Sequence, residues 1–332
     1  MKSSEGIRTG ALLLLVFAYA PAAVAWNETA HRVAAVIAYD ALPDDQKSAV
    51  GELLRKHPRF AADFEPNLPR GFRNRSAAEQ NRWYFAFAAT WPDFARRFDT
   101  VPAAAEREAL VARYNHGSWH YINLPTYLRP ADAQRLDRKS PSMSWSPGQS
   151  GADLNVVQAL ALARYTLCGA NASDDERALA LSWLLHLIAD LHQPLHTTAL
   201  YAVGRFPNGD RGGNDIMVRG GTNLHALWDD ALGNDRRWRR IQSMAAEYRV
   251  ALDPATAVNF EEWTRQGHEL AERVVYSQQI RSAVESSTLV DPDSAYRALM
   301  HKTAESQIGL AGARTALVVS RLMDSNAARR CR

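Results

Sequence analysis

The chain has 332 residues, with 39 Lys and Arg against 36 Asp and Glu, a formal charge of +3, and 46% hydrophobic residues. That length can bury one large core or two modest ones, and so small a positive excess excludes a broad basic surface for gripping duplex phosphates. Two cysteines, Cys168 and Cys331, exclude a disulfide scaffold, so the core must supply most of the stability.

In chain order, residues 1–25 read as a secretory signal peptide. Lys2 and Arg8 give a positive start, Ala11 to Ala20 a short apolar run, and Ala23-Val24-Ala25 the small-x-small pattern of a cleavage site. The apolar run is well short of the roughly 20 residues a bilayer span needs. Cleavage is therefore expected after Ala25, with export to the periplasm or medium and no stable membrane association. Trp26 becomes the new terminus, and loss of Lys2, Glu5 and Arg8 lowers the charge from +3 to +2.

Residues 26–332 read as one all-α, compact multi-helix domain with long loops and little or no sheet. An amphipathic helix is predicted over Asn27 to Leu42, with Val33, Ile37 and Leu42 on or near one face. Arg129 to Asp153 is rich in Pro, Ser and Gly and reads as a long surface loop. Ala178 to Leu191 is an apolar helix with Asp174 and Asp175 as candidate caps. Ala202 to Thr222 holds six glycines but neither GxGxxG nor GxxxxGK[ST], so it is not a phosphate loop. It reads as a loop or hairpin, with Asp215 to Val218 the one candidate short strand. Further helices are expected over Asn223 to Leu232, Phe260 to Gln279 and Asp293 to Met323.

Chemistry concentrates in histidine and aspartate. In the apolar run from Trp183 to His196, His186 and Asp190 stand four apart and share a helical face. An unpaired charge there is expensive, and a bound cation explains why Asp190 tolerates it. His196 follows on another face, after the break at Pro194. His225 and Asp229 form a second pair four apart. Either pair alone is equally a hydrogen-bonded couple; two pairs with His196 between them favour a metal. Histidine and carboxylate donors with little cysteine suit hydrolytic zinc. Trp26, once freed, carries a terminal amine and carbonyl able to chelate zinc five residues before His31, although a plain core aromatic accounts for Trp26 equally well.

Taken together, Trp26 with His31, Trp91-Pro92-Asp93, Trp119-His120-Tyr121, His186-Asp190-His196 and His225-Asp229 resemble the zinc-dependent single-strand nucleases of the nuclease S-one and P-one type, whose superfamily includes zinc phospholipase C. Gly212-Gly213-Asn214 and Gln307 to Arg314 add to the likeness. The resemblance implies three zinc ions. Asp93, His120, His186 and Asp190 would hold the first; Trp26, His31 and a shared Asp190 the second; His196, His225 and Asp229 the third. It implies Arg96 on substrate phosphate, Tyr121 stacking on a base, and Asn214 beside the substrate. Asn123 stands where fungal members carry an aspartate near the attacking water; an amide orients water but takes no proton.

The expected activity is endonucleolytic cleavage of single-stranded DNA and RNA to 5′-phosphate products, with 3′-nucleotidase activity on nucleotides. Three Zn²⁺ against three aspartates leave a site charge of about +3, enough to draw a phosphodiester to a nearly neutral protein. A phospholipase C-like phosphodiesterase is the competing enzyme, but that branch ends its ligand set with glutamate rather than Asp229. An inactive secreted helical binding module is the competing non-enzyme. His57 and His116 read as surface residues, and His192 as packing near the ligands. Pairing of Cys168 with Cys331, base preference and oligomeric state are left open by the sequence.

Overall fold

Helix α1 (Glu28–Ala41) begins where the Asn27 side chain accepts from the Ala30 amide at 3.2 Å, closing one of the donors a helix start leaves unpaired. This computed structural model describes residues 26–149, 151–253 and 255–324; the expected signal peptide and Cys331 lie outside them, and Cys168 is disulfide-bonded. α2 (Asp44–Leu54), α3 (Ala77–Ala88), α4 (Trp91–Phe94), α5 (Ala104–Tyr114), α6 (Pro130–Leu136), α7 (Val156–Cys168) and α8 (Asp174–Leu191) follow, then α9 (Leu224–Asp229), α10 (Trp238–Glu247), α11 (Phe260–Leu270), α12 (Gln278–Glu285) and α13 (Ser294–Leu322).

The fold is all-α, as its composition of helical segments predicts. α8 is the central element: its residues from Leu181 to Leu191 are all buried, and α7, α2, α13, α4 and α3 pack around it. Its cap is Ser173 with Glu176, whose carboxylate accepts from the Ser173 amide at 2.8 Å. The expected Asp174 and Asp175 instead occupy the first turn, where negative charge favours the helix dipole.

α1 packs most extensively on α13, and the small residues of the Gln307 to Arg314 stretch explain how. A Cβ on Gly312 would stand 2.6 Å from Ile37 Cβ, and one on Gly309 would stand 2.2 Å from the Tyr248 carbonyl. At Gly312 α13 approaches α1, and at Gly309 the end of α10, too closely for any side chain.

Sheet is minor. β1 (Leu124–Tyr127) pairs in parallel with β2 (Thr198–Tyr201), Leu124 opposite Thr198, and β3 (Met217–Val218) pairs antiparallel with β4 (Thr222–Asn223). The candidate strand at Asp215 is thus confined to Met217 and Val218. The expected long loop from Arg129 contains α6, started by Pro130 at its first turn. The stretch from Phe260 to Gln279 is not one helix: a π-turn at Ala271–Val275 separates α11 from α12.

Candidate metal centre

Asp190, in the last turn of α8, is fully buried and stands among three imidazoles. His186 Nε2, one helical turn earlier, lies 3.1 Å from its Oδ2. His120 closes the short turn Gly117–His120 and places Nδ1 2.9 Å from the same oxygen. His31, from α1, brings Nε2 within 3.4 Å of Oδ1. Asp93 approaches from α4, its Oδ1 3.9 Å from His186 Nε2.

Beyond Pro194, His196 Nε2 lies 3.2 Å from His225 Nε2, which lies 3.4 Å from Asp229 Oδ2. Three sets result: His31, His186 and Asp190; Asp93, His120 and His186; and His196, His225 and Asp229. Within each, one ligand atom per residue falls within 4.8 Å of the others. The spacing-based pairs and the distant His31, Asp93 and His120 therefore converge.

Backbone carbonyls set the orientation of three rings. His186 Nδ1 donates to the Ala89 carbonyl at 2.8 Å, His196 Nδ1 to the His120 carbonyl at 2.7 Å, and His225 Nδ1 to the Gly212 carbonyl at 2.7 Å. A carbonyl can only accept, so Nδ1 carries a proton and Nε2 is the ring atom that faces the cluster. The glycines of Gly212-Gly213-Asn214 serve this arrangement: Gly212 has φ +62, and a Cβ on it would stand 2.6 Å from the Leu195 carbonyl. Trp91 anchors α4 by donating Nε1–H to Asp63 Oδ2 at 2.9 Å, which holds Asp93 toward the cluster. Gln193, which no sequence motif marks, donates its amide N–H to Asp229 Oδ1 at 2.8 Å. Its place between His192 and Pro194 is the only local sign of that role.

Burial pushes the His120 and His196 pKa values down to about 4 and that of His225 to about 3, so these rings are neutral near pH 7, the form that binds metal. Burial alone would raise Asp190, but His186 and His196 and the bonds from His120 and His186 hold it well below the usual carboxylate range. Burial pushes Asp229 well above that range, an effect a divalent cation reverses.

The donor set fits a cation. Both ring nitrogens of His31, His120 Nε2 and Asp190 Oδ1 are buried without a hydrogen-bond partner. Orphaned buried groups cost about 1–3 kcal/mol each, and nitrogen and carboxylate oxygen converging in this way suit zinc.

Trp26 is fully buried, and the next amide, Asn27 N–H, donates to the Asp229 carbonyl at 3.4 Å. The start of α1 therefore lies against the end of α9. Arg96, Tyr121, Asn123 and Asn214 line one hollow of about 280 Å³, together with Leu195 and Gly212 beside the cluster. Arg96 Nε lies 3.0 Å from Asp93 Oδ1, and Tyr121 is 43% exposed.

Two histidines depart from their sequence reading. His57 is buried against Trp91 and Phe64, not on the surface, and His116 is half-buried, stacked on Trp119 at 4.0 Å. His192 is buried, accepting from Arg314 Nη1 at 2.8 Å.

The model of the S1/P1 nuclease family matches residues 26–324. The chain belongs to the S1/P1 nuclease family. It is 25% identical over 193 residues to Nuclease S1 of Aspergillus oryzae, covering 57% of this chain and 56% of that protein. Endonuclease 2 of Arabidopsis thaliana is 32% identical over 121 residues, 35% of this chain and 38% of that one. Endonuclease 4 of the same plant is 38% identical over 82 residues, 22% and 25% of the two chains. The chain thus spans from a quarter to just over half the length of these curated relatives. Among the described residues of this family member, no helix is long and apolar enough to cross a membrane.

Proposed function

We propose that this chain is an exported zinc-dependent nuclease, cleaving single-stranded DNA and RNA to 5′-phosphate products and removing phosphate from 3′-nucleotides. The observation that carries the reading is the convergence of three buried His/Asp sets, with orphaned donor atoms, in a member of the S1/P1 nuclease family. Asp93, His120, His186 and Asp190 would hold one zinc, His31, Asp190 and the Trp26 amine and carbonyl a second, and His196, His225 and Asp229 a third. Bound there, zinc supplies a water acidified toward neutrality and positive charge for phosphoryl oxygens.

The remaining work falls to side chains around the hollow. Arg96 directs its guanidinium at the phosphate, countering charge that grows in the transition state. Tyr121 offers its exposed ring to one base. A paired base must first leave its duplex, at a cost of roughly a few kcal/mol, which favours single strands. Asn123 orients the attacking water by hydrogen bonding without accepting its proton, and Asn214 borders the substrate. Residues 1–25 act as the cleaved leader, freeing the Trp26 amine.

Zinc analysis of protein beginning at Trp26, run beside assays on single-stranded DNA, duplex DNA, RNA, 3′-AMP and phosphatidylcholine, tests the reading. About three zinc per chain with faster single-strand cleavage is expected. Zinc-free protein of full activity would end it, and phosphatidylcholine cleavage without nuclease activity would transfer the chain to the phospholipase reading.

A further inference from the structure

The cluster opens onto more than the hollow beside Tyr121. A second hollow, of about 860 Å³, starts at Asp93 and Arg96 and shares Arg96 and Gly117 with the first. A third, of about 400 Å³, shares Arg97 and Asp99 with the second and passes Arg107 to Val111 and Ala112 on α5. The three adjoin in series, with Asp93 close to the junction of the first two. Arginines recur along the series: Arg211 in the first, Arg32, Arg96, Arg97 and Arg236 in the second, Arg107 in the third.

The carboxylates on the same walls are fewer and partly committed. Glu28 pairs with both Arg32 at 2.8 Å and Arg236 at 2.9 Å, and Asp93 stands 3.0 Å from Arg96 and 3.9 Å from His186. On the outer half Asp99 and Glu108 match Arg97 and Arg107 in number, with Arg97 held to Asp99 at 3.2 Å, so the arginine excess lies on the inner half. Phe94, half-buried, lines the second hollow between Arg96 and Arg97, whereas Phe87 is buried there against Trp83; a flat apolar face beside guanidinium groups is what an unpaired strand uses for stacking and backbone neutralisation. An open, elongated strip of this kind suits an extended polyanion better than a small molecule.

We infer that a single strand runs from the metal centre along this groove, past Phe94 and Arg97 toward Arg107, so that binding extends several nucleotides beyond the cleaved bond. The inference rests on the nuclease reading and adds an outer binding track that a mononucleotide cannot reach. Arg97 and Asp99 are the residues to change, since their side chains are 75% and 69% exposed and their loss does not open the core.

The experiment measures binding of a phosphorothioate single strand of about 12 nucleotides, within the usual site size of such grooves, alongside hydrolysis of the matching phosphodiester strand and of 3′-AMP. Arg97→Gln should weaken strand binding about three- to tenfold at low salt and flatten the salt dependence by about 0.7 in log–log slope, one phosphate contact's worth. Asp99→Asn should tighten binding about two- to threefold, a gain that no merely structural role yields. Turnover of 3′-AMP should match the unaltered enzyme in both variants. Unchanged strand binding and salt slope in both variants would overturn the groove, as would loss of 3′-AMP turnover in step with strand binding. If the unaltered protein binds the strand with these dependences yet hydrolyses neither substrate, the groove stands and the nuclease reading falls. Hydrolysis of both substrates with binding indifferent to Arg97 and Asp99 has the opposite meaning.

Discussion

Asp190 and Asp210 are both fully buried aspartates, twenty residues apart, yet they sit in opposite electrostatic surroundings. Asp210 accepts from the Leu200 amide at 2.8 Å and the Tyr276 hydroxyl at 2.7 Å, both neutral donors. With no cation facing it among these partners, burial raises its pKa to about 6. Asp190 stands among His31, His120 and His186 with one oxygen unpartnered, and it is held far on the acidic side. A buried carboxylate is therefore no site in itself. Asp210 ties the loop after β2 to the π-turn behind α11, whereas Asp190 carries charge in the core that its protein partners leave incompletely satisfied.

Replacing each aspartate with asparagine should separate the two roles. For Asp190→Asn, zinc content should drop and nuclease turnover fall by at least about a thousandfold, because the shared ligand of two proposed ions loses its charge; metal analysis and initial rates check this, and retained zinc would break the contrast. Next in size, any residue added before Trp26 removes the chelating amine and should lower activity by about 100-fold with the fold intact by circular dichroism. An N-terminally extended protein of full activity would remove Trp26 from the ligand set. Gly212→Ala should cost about 10- to 100-fold in activity or zinc affinity, since the carbonyl that orients His225 is displaced. Unaltered zinc affinity there would show that the carbonyl is not needed.

The smallest effect belongs to Asp210 and is one of stability. Its folded pKa of about 6 lies above the ordinary 3.8, so the folded state binds the proton more tightly. Its contribution is present below pH 3.8 and is lost as pH rises through 6, up to about 3 kcal/mol by linkage. Asp210→Asn should leave activity within about twofold and flatten the stability profile between pH 4 and 6 in urea titrations. A large loss of zinc in that variant would erase the distinction between the two carboxylates.

How much of this was legible along the chain depends on the range of each interaction. The pairs His186–Asp190 and His225–Asp229 lie on α8 and α9 at the spacing that brings side chains together within one helix, so their adjacency needs no tertiary contact. Predicted helix positions hold within a few residues for α1, α8, α9 and α13, because apolar periodicity reports a buried face wherever that face is buried. The expectation fails for His57, whose neighbours in sequence are polar and whose burial comes from Trp91, far along the chain. It fails too between α11 and α12, where periodicity continues but the backbone slips into a wider turn.

Chain chemistry by itself determined the all-helical class, the two histidine–aspartate pairs and the absence of a nucleotide-binding glycine loop, since each depends on residues within a turn or two of one another. Only the packed structure decided that His31, Asp93 and His120 meet α8, that carbonyls of Ala89, His120 and Gly212 aim the imidazoles, and that Arg96 borders two hollows at once. The carbonyl contacts alone join residues from 13 to 97 apart, and His31 reaches Asp190 from farther still. They are set by how close-packed helices seat against one another, a property of many side chains together that no local spacing encodes.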